Sequence, residues 1–285
     1  MRSIITYDPN EFLRAVTPIY AADDSRHGLM LGLAWRMAEH PRDYPGAVQV
    51  LVWDRRDVLA ATGLMTPGAD LLVQSDPLNK EALEALADRL WFEGVKVTGV
   101  NGVDATSDYF AQMWAEKFGL EAYRIKELNV LALSKVIPPA ECFGEIKQAG
   151  FEDTSASLEM IRAMQKETGI PKESWWVLED MQRAIANEWV FTWEVEGKPV
   201  AMAMFNRPTA KAISISGVYT KPEHRGKGYA SCVVAAISQF ALDRGNLRVN
   251  LFTDQANPTS NALYKRIGFK EVCQYHQYRM DQPLH

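Results

Sequence analysis

Two glycines stand just before a helix pattern, in a position where a phosphate group could bind. Gly226 and Gly228 lie in a charged turn between an apolar, strand-like run at residues 212–219 and a helix pattern that starts at Tyr229. Glycine lets the backbone approach a ligand with no Cβ in the way. The first turn of a helix adds free N–H groups and the positive end of the helix dipole. The segment therefore predicts a phosphate or pyrophosphate site.

Arg225 and Lys227 bring positive charge to this turn in an otherwise acidic protein. The 285 residues include 31 Lys and Arg against 36 Asp and Glu, a net charge of -5. This balance argues against nucleic-acid binding as the main role, since phosphate backbones require clustered Lys and Arg. No apolar run has the length of a membrane span, and the N-terminus has no signal-peptide core. We expect a cytoplasmic protein without nucleic-acid or membrane partners.

The turn has two competing interpretations. It could be a plain strand-to-helix turn, or the G-x-G-x-x-G loop of a dinucleotide-binding fold, which requires a third glycine and a parallel sheet. Ser231 stands where the third glycine would be, and the strands before the turn have the pattern of hairpins. Asp254 does close the following strand, as a dinucleotide site requires. A nucleotide-dependent oxidoreductase is therefore disfavoured but stays open.

A second group of polar side chains lies on a short helix pattern at residues 257–269. Asn257 suits the N-cap and Pro258 suits the first helical position. Asn257, Ser260 and Tyr264 share one helix face through their i, i+3, i+7 spacing. These side chains could converge on a ligand, or they could be a cap and a half-buried core aromatic with a wet hydroxyl.

The pattern Arg225-x-x-Gly228-x-Ala230 resembles the pyrophosphate loop of the GNAT superfamily of N-acetyltransferases, Gln/Arg-x-x-Gly-x-Gly/Ala. The resemblance extends over about residues 190–280, through strand, loop, helix, strand and the Asn257 segment. It implies acetyl-CoA as co-substrate. The five histidines show no ligand spacing, so no metal is predicted. The residues that the resemblance places against coenzyme A are Val218, Tyr219, Thr220, Arg225, Gly226, Lys227, Gly228, Tyr229, Ala230, Ser231, Asn257, Ser260 and Tyr264.

We expect direct transfer of an acetyl group to an amine in a ternary complex, since no Cys is suitably placed for a covalent intermediate. The resemblance implies that Tyr264 lies near the sulfur. Amine attack on a thioester expels a thiolate, and a phenol can donate a proton to it, so Tyr264 is the candidate general acid. Many relatives carry a Glu on the strand before the loop, whereas this strand has Ser214 and Ser216 and no carboxylate. The base is therefore unassigned, with a water chain as one candidate.

Two questions about function follow from this pattern. The missing strand Glu keeps a second hypothesis open, a non-catalytic protein that binds acyl-CoA as a sensor or scaffold. The acceptor could be a small amine, an amino acid, a polyamine, a drug or a protein N-terminus, because acceptor specificity does not follow from the fold.

The two halves of the chain repeat one order of elements. Helix patterns at residues 80–92 and 229–244 are each followed by a strand, a helix and a strand. The second helix of each half closes with a glycine, Gly119 or Gly268, as a left-handed C-terminal cap requires. We predict an α+β protein of two tandem GNAT-like domains, residues 1–139 and 140–285. Each domain has a mixed, mainly antiparallel sheet flanked by helices.

The first half lacks the cofactor pattern. Residues 74–80 contain no glycine pair and include Asp76 where a phosphate would bind. We therefore expect this domain to have the fold without the cofactor, as structural support or as one wall of the acceptor pocket.

Aromatic and sulfur side chains give weaker indications. The tryptophans Trp175, Trp176, Trp189 and Trp193 could line an acceptor site or belong to the core. Cys142, Cys232 and Cys273 are far apart and lack the spacing of a zinc site, so they are predicted to be reduced thiols.

Overall fold

The structure, a computed structural model, describes residues 1–75, 77–140, 142–170 and 176–281. Within these ranges the chain forms twelve strands and eight α-helices. In chain order they are β1 Arg2–Thr6, α1 Pro9–Tyr20, α2 Gly28–Glu39, β2 Val48–Trp53, β3 Leu59–Met65, β4 Leu71–Gln74, α3 Lys80–Phe92, β5 Gly99–Val103, α4 Asp104–Phe118, β6 Glu121–Leu133, β7 Glu145–Gln148, α5 Thr154–Glu167, α6 Leu178–Ala186, β8 Val190–Val195, β9 Lys198–Asn206, β10 Ala212–Thr220, α7 Tyr229–Asp243, β11 Arg248–Asp254, α8 Pro258–Arg266 and β12 Lys270–Asp281.

The chain divides into two compact units, and neither is one continuous segment. Unit 1 comprises Met1–Val130, Thr253–Asn257 and Glu271–His285, and unit 2 comprises Leu131–Phe252 and Pro258–Lys270. From Glu271 onward, the last strand therefore belongs to the unit that begins with Met1.

Unit 1 is a mainly antiparallel sheet in the order β1-β2-β3-β4-β5-β12-β6, with β4 and β5 parallel. Its β2 is buried on both faces, which explains its run of apolar residues. Val50 packs with α3 and α4, and Leu51 points to the opposite face because successive side chains of a strand alternate. Helices α1 and α2 contribute further fully buried side chains, among them Phe12 and Met30.

Unit 2 has the strand order β11-β10-β9-β8-β7, with β10 and β11 parallel and the other pairs antiparallel. The alternation of β9 separates two cores. Ala203 and Phe205 pack with α7, whereas Met202 and Met204 pack with α5 and α6. Both units thus have a mixed, mainly antiparallel sheet flanked by helices, and the predicted α+β fold class is confirmed.

Candidate functional site

Strands β10 and β11 pair over only part of their length. Parallel pairing runs from Ala212 with Arg248 to Ile215 with Leu251. Beyond this point β10 continues to Thr220, and the described residues supply no strand partner on that side of residues 216–220. An unpaired strand edge presents backbone N–H and C=O groups to an extended ligand.

Gly217 lies at the point where the two strands separate. Its φ is +61°, and the pairing of β10 with β9 shifts register between Ser216 and Tyr219, which is a β-bulge. A Cβ on Gly217 would lie 3.0 Å from the Met204 Sδ and 3.1 Å from the Ile161 Cδ1. Both the conformation and the tight packing therefore require glycine here.

The loop after β10 leads directly into the N-terminus of α7. A 3-10 turn at Pro222–His224 is followed by Gly226 with φ +77° and Gly228 with φ +84°. Gly228 has no side chain to cap the helix, and the first helical hydrogen bond runs from the Cys232 N–H to the Gly228 carbonyl oxygen, 3.1 Å. The amides at residues 229–231 therefore have no acceptor within the helix.

The predicted site residues occupy this arrangement in chain order. Val218, Tyr219 and Thr220 end β10; Arg225, Gly226, Lys227 and Gly228 form the loop; and Tyr229, Ala230 and Ser231 make the first turn of α7. The structure thus places an unpaired strand edge and an uncapped helix N-terminus next to each other along the chain. A diphosphate carrying a long polar arm fits both features.

The corresponding position in unit 1 is closed by its own side chains. At the N-terminus of α3, the Asn79 side chain accepts a hydrogen bond from the Ala82 N–H, 3.0 Å. The Asn79 N–H donates to the Ser75 Oγ (2.9 Å), and the Thr106 Oγ1 donates to the Ser75 carbonyl oxygen (3.1 Å). These groups are already satisfied without a ligand. Asp76, which the sequence analysis singled out, lies outside the described residues.

Arg225 is held by a residue that the sequence analysis missed. Its Nη2 donates to both carboxylate oxygens of Glu167, at 2.9 and 2.7 Å, and its Nε donates to the Thr220 carbonyl oxygen, 3.0 Å. The Tyr219 hydroxyl also donates to the Glu167 Oε1, 3.1 Å. Burial and this bond raise the pKa of Tyr219. No local sequence signal marks Glu167, because it lies at the end of α5, 58 residues before Arg225.

Tyr264 is buried in the core beneath α7. Its side chain is 7% exposed, and its ring meets Phe269 edge to face with centroids 5.9 Å apart. Burial raises its pKa to about 12, so the hydroxyl stays protonated at neutral pH. Ser260 is half-buried on the same helix.

Asn257 stands at a change of unit. It precedes α8 directly, and its N–H donates to the Asp254 carbonyl oxygen, 3.0 Å. It ends a segment of unit 1, whereas Pro258 begins a segment of unit 2. Its predicted place on one face with Ser260 and Tyr264 stays a prediction.

Comparison with known proteins identifies the part of the chain that carries this loop. The model of the acetyltransferase (GNAT) family matches residues 156–269. This part of the chain belongs to the GNAT family. The thialysine N-epsilon-acetyltransferase of Sus scrofa is 29% identical over 76 residues, which are 26% of this chain and 45% of that protein. The chain thus matches less than half of this curated relative's length.

Solved structures extend the likeness of fold beyond the GNAT domain. A GNAT-family acetyltransferase from Colwellia psychrerythraea has a TM-score of 0.65 at 14% identity, covering 99% of this chain and 100% of the other. A tandem GNAT protein from the clavulanic acid biosynthesis pathway has a TM-score of 0.59 at 12% identity and covers 100% of both chains. At these identities the likeness concerns the fold, and the whole chain has the fold of a tandem GNAT protein.

The tryptophans of the GNAT domain do not form one cluster. Trp176 packs against the core of α5 and α6, whereas Trp189 and Trp193 pack against the core of α7. Trp193 also lines a cavity of about 440 Å³ together with Pro138 and Cys142. This packing favours the core interpretation for the three described tryptophans, and their lining of an acceptor site stays a prediction. Trp175 lies outside the described residues.

The prediction of reduced thiols is wrong for Cys142 and Cys232. Cys142 and Cys232 form a disulfide with Cα atoms 6.7 Å apart, and Cys273 is free. Because 90 residues separate the two cysteines, no local spacing indicates the bond. Cys232 lies in the first turn of α7, so the disulfide fixes the chain before β7 to the start of the loop helix.

Among the described residues, no helix is long and apolar enough to cross a membrane. The same residues also contain no group of three or more His, Cys, Asp or Glu side chains arranged to hold a metal ion.

Proposed function

We propose that the GNAT domain binds acetyl-CoA along residues 216–231 and transfers the acetyl group to a primary amine. The observation that carries this proposal is the uncapped N-terminus of α7, which the glycine loop connects to an unpaired strand edge. The two glycines of the loop support it, because a Cβ at Gly226 or Gly228 would point into open space, so only the positive φ requires glycine there. The space above the loop amides is thereby kept clear for an anion.

Two parts of the backbone would bind two different parts of acetyl-CoA. The amides at residues 229–231 and the helix dipole favour the diphosphate. The edge of residues 216–220 offers alternating donors and acceptors to the amide groups of the pantetheine arm, as an added strand would use them. Bound acetyl-CoA supplies an acyl thioester at the end of that arm.

Tyr264 fits the role of general acid in this proposal. The attacking amine forms a C–N bond while the C–S bond breaks, and the departing sulfur takes a proton from the phenol. With its pKa raised to about 12, Tyr264 carries that proton throughout the physiological pH range. The proton of the amine leaves to water, because β10 carries Ser214 and Ser216 and no carboxylate.

We propose different roles for the two halves of the chain. Residues 140–285 supply the acetyltransferase site, although the last strand from Glu271 onward belongs to unit 1, and residues 1–139 share the fold without binding the cofactor. The Asn79 cap supports this division, because its side chain already accepts from the Ala82 N–H, a donor that a diphosphate would use. An amine acceptor remains part of the proposal. So does a cytoplasmic location, although a structural disulfide is unusual in that compartment.

Calorimetric titration with acetyl-CoA tests the binding half of the proposal. We expect wild type to bind, and Gly228→Glu to lose binding, because a carboxylate would occupy the anion site. Gly245→Glu is the matched control: Gly245 also has a positive φ, +93°, and open space around it, but it follows the other end of α7. Loss of binding in both variants, or in neither, would contradict the loop as the site.

Thiol release from acetyl-CoA in the presence of an amine panel tests the transfer. Thialysine is a suitable first member, since the relative from Sus scrofa is named for acetylating its ε-nitrogen. The panel also includes polyamines, amino acids and peptide N-termini. Tight binding with no thiol release from any amine would favour an acyl-CoA sensor instead.

A further inference from the structure

Glu167 joins the two parts of the proposed acetyl-CoA site. It ends α5, while its partners Tyr219 and Arg225 lie on β10 and in the loop. Its Oε1 accepts from the Tyr219 hydroxyl and from Arg225, whereas its Oε2 accepts from Arg225 at 2.7 Å. Arg225, a cationic side chain of the loop, is thus paired with a carboxylate.

The ion pair of Glu167 and Arg225 disfavours the binding of a diphosphate beside it. Glu167 neutralises the guanidinium of Arg225, and its own negative charge stands beside the place where a diphosphate would bind. Both side chains are about half exposed, 45% for Glu167 and 47% for Arg225. Exposed ion pairs contribute little to stability, so Arg225 can leave Glu167 at small cost. A guanidinium can bind two phosphate oxygens in the same forked geometry that it uses to bind a carboxylate.

We propose that Glu167 is a positioning residue that competes with the diphosphate of acetyl-CoA for Arg225. The proposal rests on the proposed function of the loop. Without acetyl-CoA, Glu167 and the Thr220 carbonyl oxygen hold Arg225 against the end of β10. When acetyl-CoA binds, Arg225 turns to the phosphate oxygens and Glu167 loses its ionic partner.

After Arg225 moves to the phosphate oxygens, one hydrogen bond still holds the Glu167 carboxylate. The Tyr219 hydroxyl still donates to the Oε1, so the end of α5 stays attached to β10. The Oε2 then faces solvent as an open acceptor for a cation. Acetyl-CoA binding thereby creates a negative site at the end of α5 that is neutralised in the free protein.

Titration of four proteins with acetyl-CoA at low ionic strength tests this competition. The substitution Glu167→Gln keeps the size of the side chain and an acceptor for Tyr219, and it removes the charge. We expect it to bind acetyl-CoA roughly two- to fivefold more tightly than wild type, as the loss of an exposed ion pair predicts, with the difference shrinking at high salt. Arg225→Gln should bind more weakly, and the double variant should match Arg225→Gln.

Glu188→Gln is the matched control. Glu188 forms an exposed ion pair with Arg244 at the opposite end of α7, 3.0 Å, so its removal changes the net charge by the same amount. If Glu167→Gln and Glu188→Gln both bound acetyl-CoA more tightly by the same factor, the effect would come from the overall charge and the proposal would be overturned. A Glu167→Gln protein that binds acetyl-CoA equally or more weakly would also overturn it, since Glu167 would then support binding.

The same titrations distinguish a failure of the Glu167 competition from a failure of acetyl-CoA binding itself. A wild-type protein that does not bind acetyl-CoA contradicts the proposed function before any variant is measured. If wild type binds acetyl-CoA and Glu167→Gln binds it with the same affinity, only the proposed competition is contradicted. Thermal unfolding of each variant confirms that the protein measured is folded.

Discussion

Ile215 of β10 pairs with Leu251 of β11, and among the described residues this is the last position that joins the two parallel strands. Two residues later, the left-handed φ of Gly217 and the bulge against β9 turn the end of β10. The unpaired edge and the direction of the loop into α7 both begin at this point. One glycine therefore shapes both parts of the proposed acetyl-CoA site.

Gly217→Ala should destabilise unit 2 more than an ordinary glycine substitution does. A left-handed alanine costs about 1–2 kcal/mol, and its Cβ would press on Met204 and Ile161, for which overpacking adds about 1–3 kcal/mol. Urea unfolding measures the sum. Gly197→Ala isolates the backbone part, since Gly197 has φ +71° and open space around it. Equal losses in the two variants would show that the core accommodates the methyl group.

Tyr264→Phe should lower kcat about a hundredfold or more while leaving the affinity for acetyl-CoA nearly unchanged, because it removes the proposed acid and little else. Steady-state kinetics and calorimetry measure the two quantities. Tyr278→Phe is the control, since Tyr278 is equally buried in unit 1 and its pKa is also raised to about 12. An unchanged kcat in Tyr264→Phe would remove the assignment.

Alkaline pH should destabilise the GNAT domain through Tyr264. The pKa of this residue is about 12 in the folded protein against an ordinary value of 10.0, so the unfolded chain releases its proton first. Stability is therefore complete below pH 10 and falls between about pH 10 and 12, by roughly 2–3 kcal/mol for this group. Denaturant unfolding across this range, with wild type and Tyr264→Phe, tests the effect. If the free energy of unfolding fell equally with pH in wild type and in Tyr264→Phe, the prediction would be contradicted.

Reduction of the Cys142–Cys232 disulfide should lower the free energy of unfolding by roughly 2–5 kcal/mol, because the bond closes a loop across 90 residues. Denaturation with and without dithiothreitol measures the loss, and Cys142→Ser should reproduce it. Alkylation of the unreduced, denatured protein should label Cys273 alone. Labelling of all three cysteines would show that the disulfide does not form.

Local sequence patterns determined much of the site. Glycines at Gly226 and Gly228 indicate the loop, since positive φ is a property of the single residue. The helix pattern at residues 80–92 coincides with α3, and the predicted C-terminal glycine at Gly119 has φ +66°. These features follow from interactions within a few residues, so the sequence contains them directly.

Only the tertiary structure decided which distant side chains meet. Glu167 and Arg225 are 58 residues apart, and Cys142 and Cys232 are 90 residues apart. The final strand β12 pairs with β5 of unit 1, Tyr278 opposite Val100, although its sequence follows the GNAT domain. Periodicity shows that a segment is a strand and which residues share a face, but a strand edge accepts any partner of suitable pattern. The choice of partner depends on packing of the whole chain, which no local spacing records.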